Sequence, residues 1–353
     1  MKNNMKSYTT DGKVVHLSEK EQVNDKLSRI IGSKFKQYRD LWDKVNNFEV
    51  VTDFPLFLQL DMNQECNFNC PHCIVGDKSV ADRYYNGDPL TWDQYKEIII
   101  EGEEHECPSV SVQGNNEPLL IKDLEKYIKY ASNHGFLDIM MNSNASALTE
   151  TRSRKLLDSG LTRLRFSIDA YSEKIFNKIR IGGRYDQVLK NIDKFLDLKE
   201  QGGYKLPITG VSFCLQKDNE HEKNDFIEYW KGKVDTVTIQ KYVPPVLEPG
   251  YDRFYTSDQL NSKKDFKGFR CPQPFQRVTI RNSEITPCCA MFSSRLKMGD
   301  VSKDTIYDSW NSKTMKDLQS LHEKGEWYKN DICRMCVNLI YPESKSIMQV
   351  QNI

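Results

Sequence analysis

Six short apolar runs alternate with amphipathic stretches between residues 56 and 240, and this alternation is what most restricts the fold of the chain. Apolar, β-branched runs separated by segments of helical period are typical of repeated β-α units around a parallel sheet. The predicted strands span residues 56–62, 109–113, 136–141, 162–168, 208–216 and 235–240. We therefore predict an α/β fold with a partial (β/α)6 barrel over residues 51–245.

The composition changes on both sides of this region. We expect residues 1–50 to form a helical extension, and residues 246–270, rich in Pro, Gly and charge, to form a linker. Residues 271–340 hold five of the ten cysteines, and 341–353 form a short tail. The expected architecture is thus a partial TIM-like barrel followed by a small cysteine-rich α+β domain.

Charge and hydropathy exclude some classes of partner. Lys+Arg and Asp+Glu both total 50, so no net field draws the chain to nucleic acid or to an anionic membrane. The N-terminal region has no apolar signal segment, and no run approaches the ~18 apolar residues of a membrane span. We expect a cytoplasmic protein with reduced cysteines, in which clustered thiols bind metal or carry redox chemistry. The isolated Cys107 and Cys214 also fit buried structural thiols.

Three cysteines, Cys66, Cys70 and Cys73, follow the first predicted strand with C-x3-C-x2-C spacing. The loops after the strands of α/β barrels carry the active site. Structural zinc needs four ligands, whereas an iron–sulfur cluster held by three thiolates leaves one iron open to a substrate. Zinc and a redox-inert cluster remain alternatives on this spacing alone.

This cysteine motif, placed after the first strand of a partial barrel, resembles the radical S-adenosylmethionine (SAM) superfamily. The resemblance implies that Cys66, Cys70 and Cys73 hold a [4Fe–4S] cluster whose open iron binds S-adenosylmethionine. One-electron reduction then yields a 5′-deoxyadenosyl radical. The resemblance also implies a flavodoxin- or ferredoxin-type reductant.

Three further segments resemble family motifs at consecutive strand ends: QGNNEPLL (113–120), NSNAS (142–146) and RFSIDAYSEKIFNKIRIGG (165–183). The first departs from the Gly-Gly-Glu pattern because Asn115 and Asn116 stand where glycine is usual. Taken singly, each polar residue also fits a turn or a helix cap. The side chains that the resemblance places at the cofactor are His72, Asn115, Asn116, Glu117, Asn142, Ser167, Asp169 and Arg180.

Two residues on the last strands are candidates for contact with the substrate. Gln240 ends the sixth strand and is placed to reach the ribose or the substrate. On the fifth strand, Ser212, Cys214 and Gln216 share one pleat, so the Cys214 thiol is a candidate hydrogen-atom donor to a substrate radical. A small apolar core residue is the alternative for Cys214.

The second cysteine group resembles the SPASM/twitch segments of radical SAM enzymes. It comprises Cys271, Cys288, Cys289, Cys333 and Cys336, with Asn282-Ser283 at the hairpin turn between the first two positions. The resemblance implies one auxiliary [4Fe–4S] cluster bound by Cys271, Cys288, Cys333 and Cys336, with Cys289 the alternative to Cys288. A zinc ribbon is the alternative, because iron and zinc share thiolate ligands.

From the resemblance we expect oxidation or epimerisation at a carbon of a small polar substrate, such as a sugar, nucleotide sugar or cyclitol. A peptide-modifying maturase is the alternative. The roughly 50 residues before the first strand look like a single helix, too little for a winged-helix peptide-binding domain. A non-catalytic iron–sulfur electron carrier or a zinc scaffold would be a different class.

Overall fold

The computed structural model describes residues 13–16, 23–84, 88–246, 249–261 and 269–340. The predicted tail, 341–353, lies outside the described residues, as do parts of the N-terminal extension and of the linker. The strands are β1 Lys13–His16, β2 Phe57–Asp61, β3 Ser109–Ser111, β4 Asp138–Ser143, β5 Arg163–Ser167, β6 Ile208–Leu215, β7 Thr236–Lys241, β8 Arg277–Arg281, β9 Glu284–Thr286 and β10 Gly299–Asp300. All six predicted strands are present, as β2 to β7.

The helices cover the faces and ends of this sheet. They are α1 Val23–Ile31, α2 Ser33–Asn46, α3 Lys78–Tyr84, α4 Trp92–Glu104, α5 Leu124–Asn133, α6 Glu150–Leu157, α7 Glu173–Ile179, α8 Tyr185–Gln201, α9 Lys223–Trp230, α10 Ser257–Asn261, α11 Gln273–Gln276, α12 Ile306–Asn311, α13 Lys313–Glu323 and α14 Asp331–Ile340. Helix α4 starts with the predicted capping box, in which the Thr91 hydroxyl accepts from the Gln94 N–H and the Gln94 side chain accepts from the Thr91 N–H.

The described strands form one ten-stranded sheet in the order β1-β7-β6-β5-β4-β3-β2-β8-β9-β10. Strands β2 to β8 are mutually parallel, and antiparallel pairs occur only at the two edges. This is the partial α/β barrel that the sequence predicted. Because the strands are parallel, their carboxyl ends lie at one edge of the sheet.

The core lies between the sheet and the helices, and the cysteine-rich segment shares it. Leu58, Ile128 and Val211 belong to the same buried cluster as Ile285 and Trp310 of that segment. Strand β8 pairs with β2 over residues 277–281, so the sheet runs from the barrel into the cysteine-rich segment without a break.

The N-terminal extension differs from the single helix that we predicted. Gly32 separates α1 from α2 and has φ 107°, which only glycine adopts readily. Strand β1 adds an antiparallel edge to β7, a pairing that the sequence did not suggest. The two helices contact the amino-terminal ends of the barrel strands, where Tyr38 donates to the Ser109 hydroxyl and Lys26 pairs with Asp235.

The hairpin between β8 and β9 confirms the predicted turn. Asn282 and Ser283 have φ of 51° and 65°, as both central residues of a type I′ turn require. The turn leads the chain back toward Cys288 and Cys289, which follow β9.

Candidate functional site

The loop after β2 carries Cys66, Cys70 and Cys73 at the carboxyl edge of the sheet. The Cys73 N–H donates to the Cys70 carbonyl at 3.0 Å. A Cβ on Gly76 would lie 2.1 Å from the same carbonyl oxygen, so the loop can close this tightly only with glycine there. Burial raises the pKa of all three thiols, to about 12 for Cys73, and a charge on Cys70 raises those of Cys66 and Cys73 further.

Hydrogen-bond donors point at two of these sulfurs. The Phe68 N–H lies 3.4 Å from Cys66 Sγ, and Asn144 Nδ2 lies 3.9 Å from it. Arg180 Nη1 lies 3.8 Å from Cys70 Sγ. Such donors stabilise thiolates, and metal binding releases the thiol protons that burial otherwise holds in place. The three thiols therefore fit an iron–sulfur cluster.

Asp169 lies at the centre of a polar network above the barrel. It follows β5 with φ 62°, is 1% exposed, and accepts the Cys214 N–H at 2.7 Å. Its other carboxylate oxygen is 2.6 Å from Arg180 Nη2 and 3.6 Å from His72 Nε2. Burial lowers the pKa of His72 to about 4, so the ring is neutral at pH 7. Asp169, Arg180 and His72 therefore lie together, and Arg180 is engaged by Asp169 and Cys70 within the chain. Their contact with the cofactor remains a prediction.

Glu117 is buried and already bound by the loops around it. Its carboxylate accepts from the Ser143 hydroxyl at 2.7 Å, the Asn144 N–H at 2.6 Å and the Leu119 N–H at 3.0 Å. Burial nevertheless raises its pKa. In this arrangement Glu117 fixes the end of β4 against the loop after β3, and a contact with the cofactor remains a prediction.

The other predicted polar residues fall into two groups. At the rim, Asn115 Nδ2 lies 2.7 Å from Met291 Sδ, and Asn116 accepts the Gly114 N–H at 3.0 Å. Inside the barrel, the Ser167 hydroxyl faces Ser212 on β6, while Asn142 and Gln240 line a cavity. A Cβ on Gly114 would lie 2.2 Å from the Asp61 carboxyl carbon. This close approach explains why residue 114 is glycine, although Asn115 and Asn116 stand where glycine is usual.

The Cys214 thiol lies beside the first cysteine group. Burial raises its pKa, and Asp169, Cys73 and Cys70 are among the neighbours that affect it. The side chain also packs against the aromatic cluster that includes Tyr242. Its role as a hydrogen-atom donor remains a prediction.

The fold buries several polar atoms near this edge, and the sequence did not show that they lack partners. Gln216 is 0% exposed, and neither its side-chain oxygen nor its nitrogen has a partner within the described residues; the same holds for His72 Nδ1. Buried polar atoms are almost always hydrogen-bonded. These atoms can be satisfied by a polar ligand lying across the carboxyl ends of the strands, so the residues fit S-adenosylmethionine.

A cavity of about 430 Å³ runs through the barrel beneath these residues. Four arginines line it: Arg39, Arg163, Arg165 and Arg277. Arg163 is held by Asp138 through two contacts of 2.8 and 2.9 Å. These arginines do not stand out in the sequence, because nothing in the local sequence shows that they face a common interior.

The second cysteine group also converges. Burial raises the pKa of Cys336 well above its usual range, and charges on Cys288, Cys271, Cys333 and Cys289 raise it further. The structure thus brings together thiols from three separate segments. Cys333 and Cys336 lie on α14, Cys271 lies two residues before α11, and the Cys288–Cys289 pair follows β9.

Cys288 and Cys289 differ in their surroundings. The Cys289 N–H and thiol both face Gln273 Oε1, at 3.2 and 3.4 Å, so this thiol is a hydrogen-bond donor. Burial raises the pKa of the Cys288 thiol to about 12, and the neighbouring thiols of Cys289 and Cys271 raise it further. That Cys288 and not Cys289 binds the cluster remains a prediction.

A buried histidine completes this region. The ring of His322 on α13 lies between the Cys271 N–H, 3.2 Å from Nδ1, and the Cys333 sulfur, 3.3 Å from Nε2. Within the described ranges, no three His, Cys, Asp or Glu side chains converge tightly enough to hold a single metal ion. In the part of the chain that the structure describes, no helix has the length and apolar character of a membrane span.

Two of the curated relatives are named as a GTP 3′,8-cyclase and a probable GTP 3′,8-cyclase. The chain is 27% identical over 210 residues to the GTP 3′,8-cyclase of Alkaliphilus metalliredigens, covering 59% of this chain and 63% of that protein. It is 29% identical over 140 residues to the probable GTP 3′,8-cyclase of Methanococcus maripaludis, covering 40% and 45%. The chain thus spans less than two thirds of the length of each. These names overturn our expectation of a sugar or cyclitol oxidised or epimerised at a carbon, which is wrong.

Solved structures show the same fold at low identity. Streptococcus suis SuiB is 13% identical with a TM-score of 0.61, covering 81% of this chain and 72% of that chain. The structure described as native anSMEcpe with bound AdoMet is 15% identical with a TM-score of 0.58, covering 80% and 88%. At such identities the likeness shows the fold alone, so it does not favour the maturase alternative.

Two family models match this chain, one within the predicted barrel and one within the predicted cysteine-rich domain. Residues 62–229 match the Radical SAM superfamily, and residues 271–337 match the iron-sulfur cluster-binding domain SPASM. The matches contain the two cysteine groups and imply a SAM-binding [4Fe–4S] cluster, S-adenosylmethionine and an auxiliary cluster. This chain belongs to the radical SAM superfamily and is an enzyme of that superfamily with a C-terminal SPASM-type cluster domain.

Proposed function

We propose that this enzyme directs its radical chemistry at a phosphorylated purine nucleotide, with GTP as the first candidate. The observation that carries the proposal is the arginine-lined cavity inside the barrel, directly beneath the cofactor-facing residues. The names of the curated relatives, which are GTP 3′,8-cyclases, support the same substrate class.

The cavity has more positive than negative charge. Asp138 neutralises Arg163, but Arg39 and Arg277 each have an Nε without a partner in the described residues. Their guanidinium groups lie 5.0 Å from the Trp42 ring and 4.9 Å from the Phe57 ring, respectively. Guanidinium groups held in this way bind phosphate oxygens through two parallel hydrogen bonds. A neutral substrate would leave these groups uncompensated.

The positions of the lining residues suggest an orientation for the substrate. Arg277 and Phe57 are the first residues of β8 and β2, whereas Asn142 and Gln240 lie near the carboxyl ends of their strands. The phosphates would therefore face the amino-terminal ends of the strands, and the nucleoside would lie next to the loop that carries Cys66, Cys70 and Cys73. A volume of about 430 Å³ is within the range of small-ligand sites.

The residues at the carboxyl edge bind and orient the cofactor and keep water out. When bound and reduced by one electron, S-adenosylmethionine supplies the 5′-deoxyadenosyl radical. Asp169 and Arg180 hold the loop that carries Cys70, and the buried Gln216 and His72 offer unpaired polar atoms to the cofactor. A flavodoxin- or ferredoxin-type reductant and a cytoplasmic location belong to the same proposal.

Isotope transfer tests the substrate directly. A 3′,8-cyclisation joins C3′ to C8, so a hydrogen must leave C3′. The reconstituted enzyme is incubated without oxygen with S-adenosylmethionine, dithionite and GTP carrying deuterium at C3′. We expect deuterium to appear in 5′-deoxyadenosine. When guanosine or ATP replaces GTP, less 5′-deoxyadenosine should form. Formation of unlabelled 5′-deoxyadenosine at the same rate with and without GTP would show that GTP is not the substrate.

A pair of arginine variants tests the cavity. Arg277→Gln should raise the KM for GTP by about tenfold or more, the equivalent of one lost charged contact of about 1.4 kcal/mol. Arg154→Gln is the matched control, because Arg154 is exposed and paired with Glu150 on the surface. An unchanged KM in Arg277→Gln would argue against phosphate binding at this end.

A further inference from the structure

His322 occupies a place in the second cysteine group that the sequence did not indicate. It lies in the last turn of α13 and is 1% exposed. Both of its ring nitrogens face groups that belong to cysteines, one a backbone amide and the other a sulfur. No residue of α13 was among the predicted ligands.

The hydrogen bond to Cys271 determines which nitrogen carries the ring proton. The backbone N–H of Cys271 is a donor, 3.2 Å from Nδ1, so Nδ1 must accept with its lone pair. The proton of the neutral ring is then on Nε2, which lies 3.3 Å from Cys333 Sγ. The ring therefore donates a hydrogen bond to the sulfur, and the backbone of one cysteine orients the donor toward the thiol of another.

We propose that His322 is a positioning residue of the auxiliary cluster, which raises the reduction potential of that cluster by donating Nε2–H to the Cys333 thiolate. Adding one electron to an iron–sulfur cluster increases the negative charge on its sulfur ligands. An N–H donor therefore stabilises the reduced form more than the oxidised form. The donor also fixes the geometry of Cys333 relative to Cys271.

The surroundings strengthen this hydrogen bond. Phe269, Trp327 and Val337 form a buried apolar cluster against which Cys271 and Cys333 pack. In a medium of low polarity, a hydrogen bond to a charged acceptor is stronger than it is in water. One turn earlier on the same helix, the Gln319 side chain is also buried and donates to the Pro274 carbonyl at 2.9 Å.

The reduction potential distinguishes this role from a purely structural one. The signal of the auxiliary cluster is isolated in the full chain by Cys66→Ala, Cys70→Ala and Cys73→Ala together. His322→Phe is then added, and the midpoint potential is measured by EPR-monitored titration. We expect a shift to more negative potential with the iron content retained, and partial recovery in His322→Gln, whose amide N–H can reach toward the sulfur. Gln319→Met is the matched control, which removes a buried hydrogen bond on the same helix and should leave the potential unchanged.

A second measurement needs no substitution of the histidine. With 15N-labelled histidine, pulsed EPR of the reduced auxiliary cluster should show a nitrogen coupling transmitted through the Nε2–H···S bond. Absence of this coupling, or an unchanged potential in a His322→Phe variant that retains its iron, would overturn the proposal. Neither result depends on GTP, so failure of the proposed substrate and failure of this inference remain distinguishable.

Discussion

Arg180 and Asp169 form an ion pair at the carboxyl edge of the barrel, with Nη2 2.6 Å from Oδ2. The Asp169 side chain is 1% exposed and that of Arg180 is 14% exposed, so the pair is largely removed from water. Arg180 also approaches Cys70 Sγ at 3.8 Å. The pair thus links the loop that carries the first cysteine group to the end of β5. Loss of either charge therefore affects both the loop and the end of the strand.

Replacing Arg180 alone should be strongly destabilising. Arg180→Gln leaves the Asp169 carboxylate buried without its cation, and breaking a buried pair in this way costs about 3–5 kcal/mol. Urea unfolding of the cluster-free protein measures the loss in free energy of unfolding. The control is Arg180→Gln combined with Asp169→Asn, since Asn tolerates the φ of 62° at this position. A double variant no more stable than Arg180→Gln would contradict the pairing argument.

The first cysteine group should be needed for S-adenosylmethionine cleavage and not for the auxiliary cluster. Cys66→Ala, Cys70→Ala or Cys73→Ala removes one of the three thiols that we expect to hold the cluster, while the second cysteine group is unchanged. We expect 5′-deoxyadenosine formation to fall to background and the iron content to fall by about four per chain. Anaerobic reconstitution followed by iron analysis and EPR checks this. Persistent 5′-deoxyadenosine formation would refute the ligand assignment.

The adjacent cysteines of the second group should respond differently to substitution. Cys289→Ala removes a thiol that donates to Gln273 Oε1, so the auxiliary cluster should survive. Cys288→Ala should remove a cluster ligand, so we expect the iron content to drop by about four per chain. Iron and sulfide analysis of the two variants, prepared in parallel, compares them directly. The opposite pattern would identify Cys289 as the ligand.

Asp235 should make part of the stability depend on pH. Burial raises the pKa of Asp235, but Lys26, the Thr209 N–H and Lys199 outweigh this effect, so the pKa is below its ordinary value of 3.8. The unfolded chain therefore binds the proton first as the pH falls. This contribution to stability is complete above about pH 5 and is lost as the pH falls below about 4.

Asp235→Asn tests this dependence. At pH 7 the variant should lose about 2 kcal/mol of unfolding free energy, typical of hydrogen bonds to a charged group. The difference from the natural sequence should shrink when urea unfolding is repeated near pH 3. Asp218→Asn is the control, because Asp218 pairs with the exposed Lys178 on the surface. A difference of the same size at both pH values would contradict the role of Asp235.

Much of the fold could be predicted because it depends on local periodicity. Alternating apolar runs predicted all six barrel strands, and the capping box at Thr91 and the turn at Asn282 followed from short-range chemistry. Strand β1 was missed because nothing within its four residues identifies β7 as its partner. The parallel pairing of β8 with β2 joins segments about 220 residues apart, a separation that no local pattern spans.

In the candidate site, too, some features could be predicted from the sequence and others could not. The sequence by itself determined the ligand chemistry: two cysteine groups whose spacing suits iron–sulfur clusters, and polar residues at consecutive strand ends. Only the tertiary structure decided how those groups are used. It placed Arg180 on Asp169, directed the Cys289 thiol to Gln273, brought His322 to Cys333, and turned the side chains of Arg39 and Arg277 into one cavity. The physical reason is that ligand type is a property of a side chain, whereas charge pairing, hydrogen-bond direction and enclosure arise only when distant segments meet.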